Sequence, residues 1–370
     1  MSLFARALSV AALSLFAADT ACATTFCVAT PDELTAALLA AQQDTTVSDE
    51  VRIRVGHFVA PAGGWHVDVQ QRGIVMEGGY TDALCQAQSL DASLTTLDGS
   101  NTVRPLTIDT SFAPQQVSAG IVVRGLTIEN GLGDRAGALK ISDAGPIYNG
   151  AVLVERNIFR NNASTVYEQD NSAGALLVAT DGSTFDGTVY LTVRGNLFAG
   201  NRAPDAAAAM LFSNNGIDVI GNTVSTNQSF DIALASRTTV AVFTFAQITY
   251  SNNVFWANNP DNLAGTYDFR GDSPFRADLA ADLFNNDLQA VLGTPGTQAG
   301  NLSVDPAFSD AADGNFRLPP GSVLNDAGQD APLGGAAAAD LDGNARIRGA
   351  HVDIGAFESA PLSIFRNGFE

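Results

Sequence analysis

Apolar and polar positions along this chain recur on one template: apolar, any residue, apolar, two of any kind, Asn, any residue, Phe or Val, two of any kind, Asn. Val152, Val154, Asn157, Phe159 and Asn162 make the first copy, and Leu191, Val193, Asn196, Phe198 and Asn201 the second. Ile217, Val219, Asn222, Val224 and Asn227 make the third, and Ile248, Tyr250, Asn253, Phe255 and Asn258 the fourth. Imperfect copies flank them at residues 122–130 and 283–288. The leading asparagines stand 39, 26 and 31 residues apart. Side chains two apart in a strand point the same way. Each copy therefore predicts a strand, a corner at Asn and a second strand starting near Phe. Such a unit cannot bury its own apolar face, so copies must stack as a solenoid. Stacking brings equal positions into register. It predicts an asparagine ladder through Asn157, Asn162, Asn196, Asn201, Asn222, Asn227, Asn253 and Asn258, and a stacked core at Phe159, Phe198, Val224 and Phe255. Asn also tolerates the left-handed backbone of a tight corner, which suits it to these places.

One helix precedes the strands. Thr30-Pro31-Asp32-Glu33 has a capping residue, a proline for the first turn and a glutamate that completes a capping box. Leu34, Leu38 and Leu39 fall on one face at helical spacing. After Thr46 short apolar alternations such as Val51, Ile53 and Val55 are punctuated by Gly, Asn and Asp, as in a succession of short strands. At the start, Arg6, the apolar run 7–18 and Ala21-Cys22-Ala23 read as an export signal cleaved after Ala23. A lipid-modified Cys22 and an ordinary buried helix are the alternatives. Cleavage would leave Cys27 and Cys85, which an oxidising compartment favours as one disulfide; two buried thiols are the other reading. Past the signal, no apolar stretch is long enough to span a bilayer, so no transmembrane segment is expected.

Composition narrows the function classes. The chain has 370 residues, 19 basic against 39 acidic, for a net charge of −20. A nucleic-acid partner is excluded on that ground, since phosphates call for a basic footprint. Lys140 is the single lysine, which leaves few groups for phosphate or Schiff-base chemistry.

Several segments resemble a known family. Phe159–Asn162, Phe198–Asn201 and Phe255–Asn258 resemble the Phe-x-x-Asn steps of polymorphic outer-membrane protein repeats, with Ala136-Gly137-Ala138-Leu139 and Ala173-Gly174-Ala175-Leu176 as degenerate partners. Gly78-Gly79-Tyr80 with Leu97-Asp98-Gly99 resembles the first coils of choice-of-anchor Q domain proteins. Asp340-x-Asp342-Gly343-Asn344-x-Arg346 followed by Val352-Asp353-Ile354-Gly355-Ala356-Phe357-Glu358 resembles their end. The resemblance covers roughly residues 24–358 and implies an all-β, right-handed parallel β-helix solenoid of the pectate-lyase-like type, with an N-terminal capping helix. It also implies an exported life, extracellular or at the cell surface. It does not imply one activity, because the fold hosts lyases, hydrolases, adhesins and passive stalks. The expected organisation is a signal at 1–23, an N-terminal cap at 24–50, the β-helix at 51–330, a C-terminal cap at 331–360 and a tail at 361–370. That tail resembles C-terminal tails of other secreted proteins of Gram-negative bacteria.

The chemistry is less marked. A β-helix lyase needs an Arg or Lys base beside groups that neutralise a uronate carboxylate. Lys140, Arg124, Arg156 and Arg194 lie near strands but read as surface or ion-paired residues. A hydrolase needs a carboxylate pair, and the family signatures Asn-Thr-Asp and Gly-His-Gly are absent. The acid-rich stretch 261–287, with Asp268, Arg270, Asp272 and Arg276, reads as a corner insertion with surface ion pairs. Asp340, Asp342 and Asn344 resemble a calcium loop in oxygen spacing, without a downstream bidentate Glu; a ligand-free turn is the competing reading. His57, His66 and His351 read as ordinary surface or core residues. Trp65, Trp256, Tyr167 and Tyr267 suit sugar stacking or core packing equally.

The leading expectation is a non-catalytic protein that binds a polysaccharide or cell-surface glycan along its long face, with no recognised catalytic residue and no cofactor unless calcium. A polysaccharide-active enzyme, lyase before hydrolase, is the alternative. A calcium-stabilised stalk is the third.

Overall fold

The computed structural model describes residues 23–43, 48–70, 72–111, 120–142, 150–165, 172–180, 189–230, 237–259, 266–271 and 279–360. The export signal, Cys22, the tail, Tyr167, Asp261, Asp272 and Arg276 lie outside the described residues. All strand pairings between named strands are parallel, in sheets of ten, eight, seven and four strands. One coil runs Val152–Glu155, Ile158–Arg160, Ala163–Ser164 and Leu176–Thr180, one strand in each sheet, and the next begins at Val189–Arg194. The chain is a parallel β-helix. We call the ten-stranded sheet A, the seven-stranded sheet B and the eight-stranded sheet C.

Alternation explains each turn of the coil. Val152 and Val154 face inward and are buried, while Leu153 between them is half-buried. In sheet B the register aligns Phe58, Leu97, Ile128, Phe159, Phe198, Val224 and Phe255 in one interior column. Phe159 and Phe198 stack with ring centroids 4.9 Å apart. Val224 interrupts the stack, and Phe255 instead packs against Tyr250 and Phe269.

The asparagines make two columns. Asn157 Nδ2 donates to Asn196 Oδ1, Asn196 to Asn222, Asn222 to Asn253, and on through Asn286 to Asn301. Asn162, Asn201, Asn227 and Asn258 repeat this at the next corner. Each of these oxygens also accepts the backbone N–H of the asparagine before it. The left-handed corner residue is not the ladder asparagine, as expected from sequence, but the residue before it: Arg156, Gly195, Gly221 and Asn252 in one column, Asn161, Gly200, Thr226 and Ala257 in the other. That residue reverses the backbone, so the asparagine that follows points inward.

The helix Pro31–Gln43 closes the N-terminal end. Thr30 Oγ1 accepts the Glu33 N–H, and the Glu33 carboxylate accepts the Ala29 N–H. Leu34 and Leu38 are buried, whereas Leu39 is 55% exposed and lies off the buried face. Trp65 is buried under this helix and donates to Thr35 Oγ1, so it is core and not a sugar platform. Cys27 and Cys85 form a disulfide that ties the first strand of sheet A to the loop after Tyr80.

The C-terminal part departs from expectation. The last coil strand is Gln298–Ala299, not a strand near residue 330. Residues 331–360, expected to cap the end, lie along the side. The chain leaves the coils at Asp305-Pro306 and returns across the corner between sheets A and B. Gln329 bonds Asn252, Gly334 and Gly335 accept from Arg194, and Leu341 accepts from the Ala92 N–H near the other end. Ala356 N then donates to Thr223 Oγ1. This returning segment has no repeat because each contact meets a different coil.

Candidate functional site

Where the returning segment stands off sheet B it leaves a groove of about 810 Å³. Its floor is the outer face of sheet B, where Glu129, Arg160 and Ala199 occupy one register position on successive coils. Along one side run the corner residues Asn130, Asn161, Gly200 and Thr226, also on successive coils. The opposite wall is the returning segment, with residues 311–314, Phe316, Arg317, Asp342 and Phe357. Phe316 and Phe357 are buried, so the wall is apolar behind and polar at its rim. Arg317 crosses that rim, with Nε 2.6 Å from Asp342 Oδ2 and its guanidinium over the Phe357 ring. On the floor, Arg160 pairs with Glu129.

One row of charge continues past the groove to the N-terminal coils. Asp98 occupies the position of Glu129 one coil earlier, and its Oδ2 lies 3.1 Å from His57 Nε2. Asp98 Oδ1 accepts the Ser100 N–H and the Asn130 Nδ2–H. His57, Asp98 and Glu129 bring one ligand atom each within 4.8 Å of the others. Sequence alone left His57 among ordinary residues. The signal was weak, because a diagonal across three coils spaces these residues 41 and 31 apart with no motif around them.

Other candidates are placed elsewhere. Arg124 and Arg194 join Glu77 and Glu155 on the outer face of sheet A, with Arg124 Nε 2.5 Å from Glu77 and Arg194 Nε 2.6 Å from Glu155. Arg52 stands in register with Glu77 at the head of this alternating row. Arg156 is buried beneath the loop before residue 91, donates to Leu90 O and has its pKa lowered by burial. These cations brace the wall and do not converge on a cavity. Lys140 lies on sheet C, away from the groove. Trp256 packs against Leu318, Leu324 and Ile354, and Tyr267 lies on a strand of sheet C.

Asp340, Asp342 and Asn344 do form one turn, but the oxygens of both carboxylates already have partners. Asp340 accepts four N–H groups, from Asp342, from Asn344 backbone and side chain, and from Glu358. Asp342 holds Arg317. Asp340 thus ties the turn by itself, and the four carboxylate oxygens a calcium ion would draw on are engaged. Asp268 is buried and accepts from the Gln289 and Ala290 N–H groups, so it is no surface ion pair; burial pushes its carboxyl up to about 7. Burial likewise raises Asp218 to about 6 beneath Gly334, Asp287 to about 6 and Glu358 to about 8.

No family model matches the chain, and no curated protein matches it. Among solved structures, the crystal structure of an alginate lyase from Paenibacillus sp. str. FPU-7 aligns with 75% of this chain and 95% of its own, at 17% identity and a TM-score of 0.37. A likeness of that size carries nothing about activity. The class of protein rests on the coil topology itself: a parallel β-helix with a returning C-terminal segment that builds a lateral groove. Among the described residues, no helix is long and apolar enough to cross a membrane.

Proposed function

We propose that this protein is an exported polysaccharide-binding β-helix, extracellular or at the cell surface, whose groove between sheet B and the returning segment holds a glycan strand. The observation that carries this reading is a row of polar corner groups beside an open groove. Asn130 and Asn161 stand on adjacent coils, about 4.8 Å apart, and Thr226 stands two coils beyond Asn161, past Gly200. A glycan strand lying along the stack would meet polar side chains on three of these four coils. Supporting the compartment are the export-signal pattern, the disulfide, and the resemblance of residues 340–358 to the end of choice-of-anchor Q domain proteins.

A second reading is favoured by one observation. The row His57, Asp98, Glu129 and Arg160 places an imidazole beside a carboxylate that fixes its tautomer. On an acidic polysaccharide, His57 would take the C5 proton of a uronate ring while the C4–O bond breaks, the electrons forming a C4=C5 double bond and the departing oxygen taking a proton from water, which is β-elimination. The mature protein should be run against a panel of neutral and acidic polysaccharides, with retention, absorbance at 235 nm and reducing ends all read. Retention of one glycan without new absorbance or ends supports binding. New absorbance lost in His57→Ala supports the lyase, and no retention by any member would refute the groove reading.

A further inference from the structure

Two histidines make the same diagonal on different sheets. His66 lies 2.9 Å from Asp109 on sheet C, and His57 lies 3.1 Å from Asp98 on sheet B. In both, the aspartate comes one coil later, and the histidine sits two residues before the residue in register with that aspartate. The third coil separates them. On sheet C the next residue in register with Asp109 is Ser142. On sheet B it is Glu129, a carboxylate. Only the second diagonal therefore offers three ligand residues from three successive coils.

We infer that His57, Asp98 and Glu129 form a site for a borderline divalent metal ion of the zinc type. One imidazole and two carboxylates suit such an ion, and three protein ligands leave a position open to water or substrate. The aspartate and glutamate are held from behind. Asp98 Oδ1 is fixed by Ser100 and Asn130, which leaves Oδ2 facing His57. Arg160 holds one oxygen of Glu129, and a carboxylate has a second to give. Such outer partners orient ligands and fix their protonation. Metal–ligand distances of about 2.0–2.2 Å ask donors to close within roughly twice that length. The present spread of 4.8 Å needs a small side-chain movement. His57 can supply it, because its side chain is 54% exposed while Asp98 and Glu129 are largely covered. To take an ion through Nε2, His57 must give up the proton that Nε2 donates to Asp98, and the ion then replaces that proton between the ring and the carboxylate. The charges of Asp98, Glu129 and Arg160 sum to −1, and a divalent ion turns that to +1 at the end of the groove. The open position would then attract an anionic group, in a protein whose net charge of −20 otherwise repels one.

The test uses the full mature chain, freed of metal with a chelator, and Zn²⁺ alone by titration calorimetry, with Co²⁺ absorption as a second readout. We expect one ion per chain and a visible Co²⁺ band, with affinity reduced at least about tenfold in His57→Ala and unchanged in His66→Ala. Asp98→Asn, which keeps the shape, should weaken binding as His57→Ala does, and thermal melting of each variant checks that it is folded. Equal affinity in wild type and His57→Ala, equal loss in His66→Ala, or no binding by the wild type would overturn the site. The metal readout is independent of glycan retention, so either idea can fail alone.

Discussion

Inside the solenoid, Asn157, Asn196, Asn222 and Asn253 repeat one bond pattern coil after coil; outside it, residues 303–360 use each contact once. The interior columns are uncharged amides whose donors and acceptors are matched by backbone and by the next asparagine. The returning segment depends on carboxylates. Asp340, Asp353 and Glu358 gather N–H groups around Arg346, whose Nη1 lies 3.2 Å from Glu358. The difference teaches where regularity comes from. A repeated environment selects a repeated residue, while a segment that crosses many coils finds a new environment at each step. The groove lies at the boundary of the two regions: the coils give it a periodic side, and the returning segment gives it an irregular one.

The comparison can be broken most forcefully at the core. Phe198→Ala should cost about 3–5 kcal/mol by leaving a cavity, seen as a lower denaturation midpoint; a variant that unfolds with the parent would mean that the column does not face inward. Asn196→Ala should come next, because it strips the acceptor from Asn157 Nδ2 and from the Asn157 N–H. Each orphaned group costs roughly 1–3 kcal/mol. That loss should be the same at every pH, since no ladder asparagine titrates.

The acids should behave otherwise. Asp218 and Asp287 are raised to about 6, Asp268 to about 7 and Glu358 to about 8, each chiefly by burial. The native state therefore holds these protons more tightly than the unfolded chain, whose carboxyls titrate near 4. Their contribution is complete below about pH 4 and is lost as pH rises through the native values. The melting temperature should fall from pH 5 to pH 8, and Glu358→Gln should flatten the upper part of that fall. A melting temperature that rises across the same range would contradict the burial of these groups. The smallest effect belongs to Leu39→Lys, within about 0.5 kcal/mol of the parent, because Leu39 is off the helix's packed face.

What could be read from sequence follows the same division. The template gave the coils, the two asparagine columns and the Phe159–Phe198 stack because every copy shows the same inward positions. Asn286 extends the first column and was within reach, since Ala281, Leu283 and Asn286 match the template. The corner residue was misassigned because Gly, Arg and Asn all occupy it, so no residue type stands out. The course of residues 331–360 was not legible: a chain that bonds Asn252, Arg194 and Ala92 in turn leaves no period. Nor was the His57 row, which exists only once coils are stacked.

The most direct test of the groove is the affinity of a retained glycan for the parent and for Ala312→Trp. Ala312 is exposed on the groove wall, in the short turn Ala311–Asp313, so a larger side chain there fills the groove without entering the core. Titration calorimetry should show affinity lower by tenfold or more at an unchanged melting temperature. Equal affinity in the two proteins would place the glycan elsewhere on the β-helix and contradict the account.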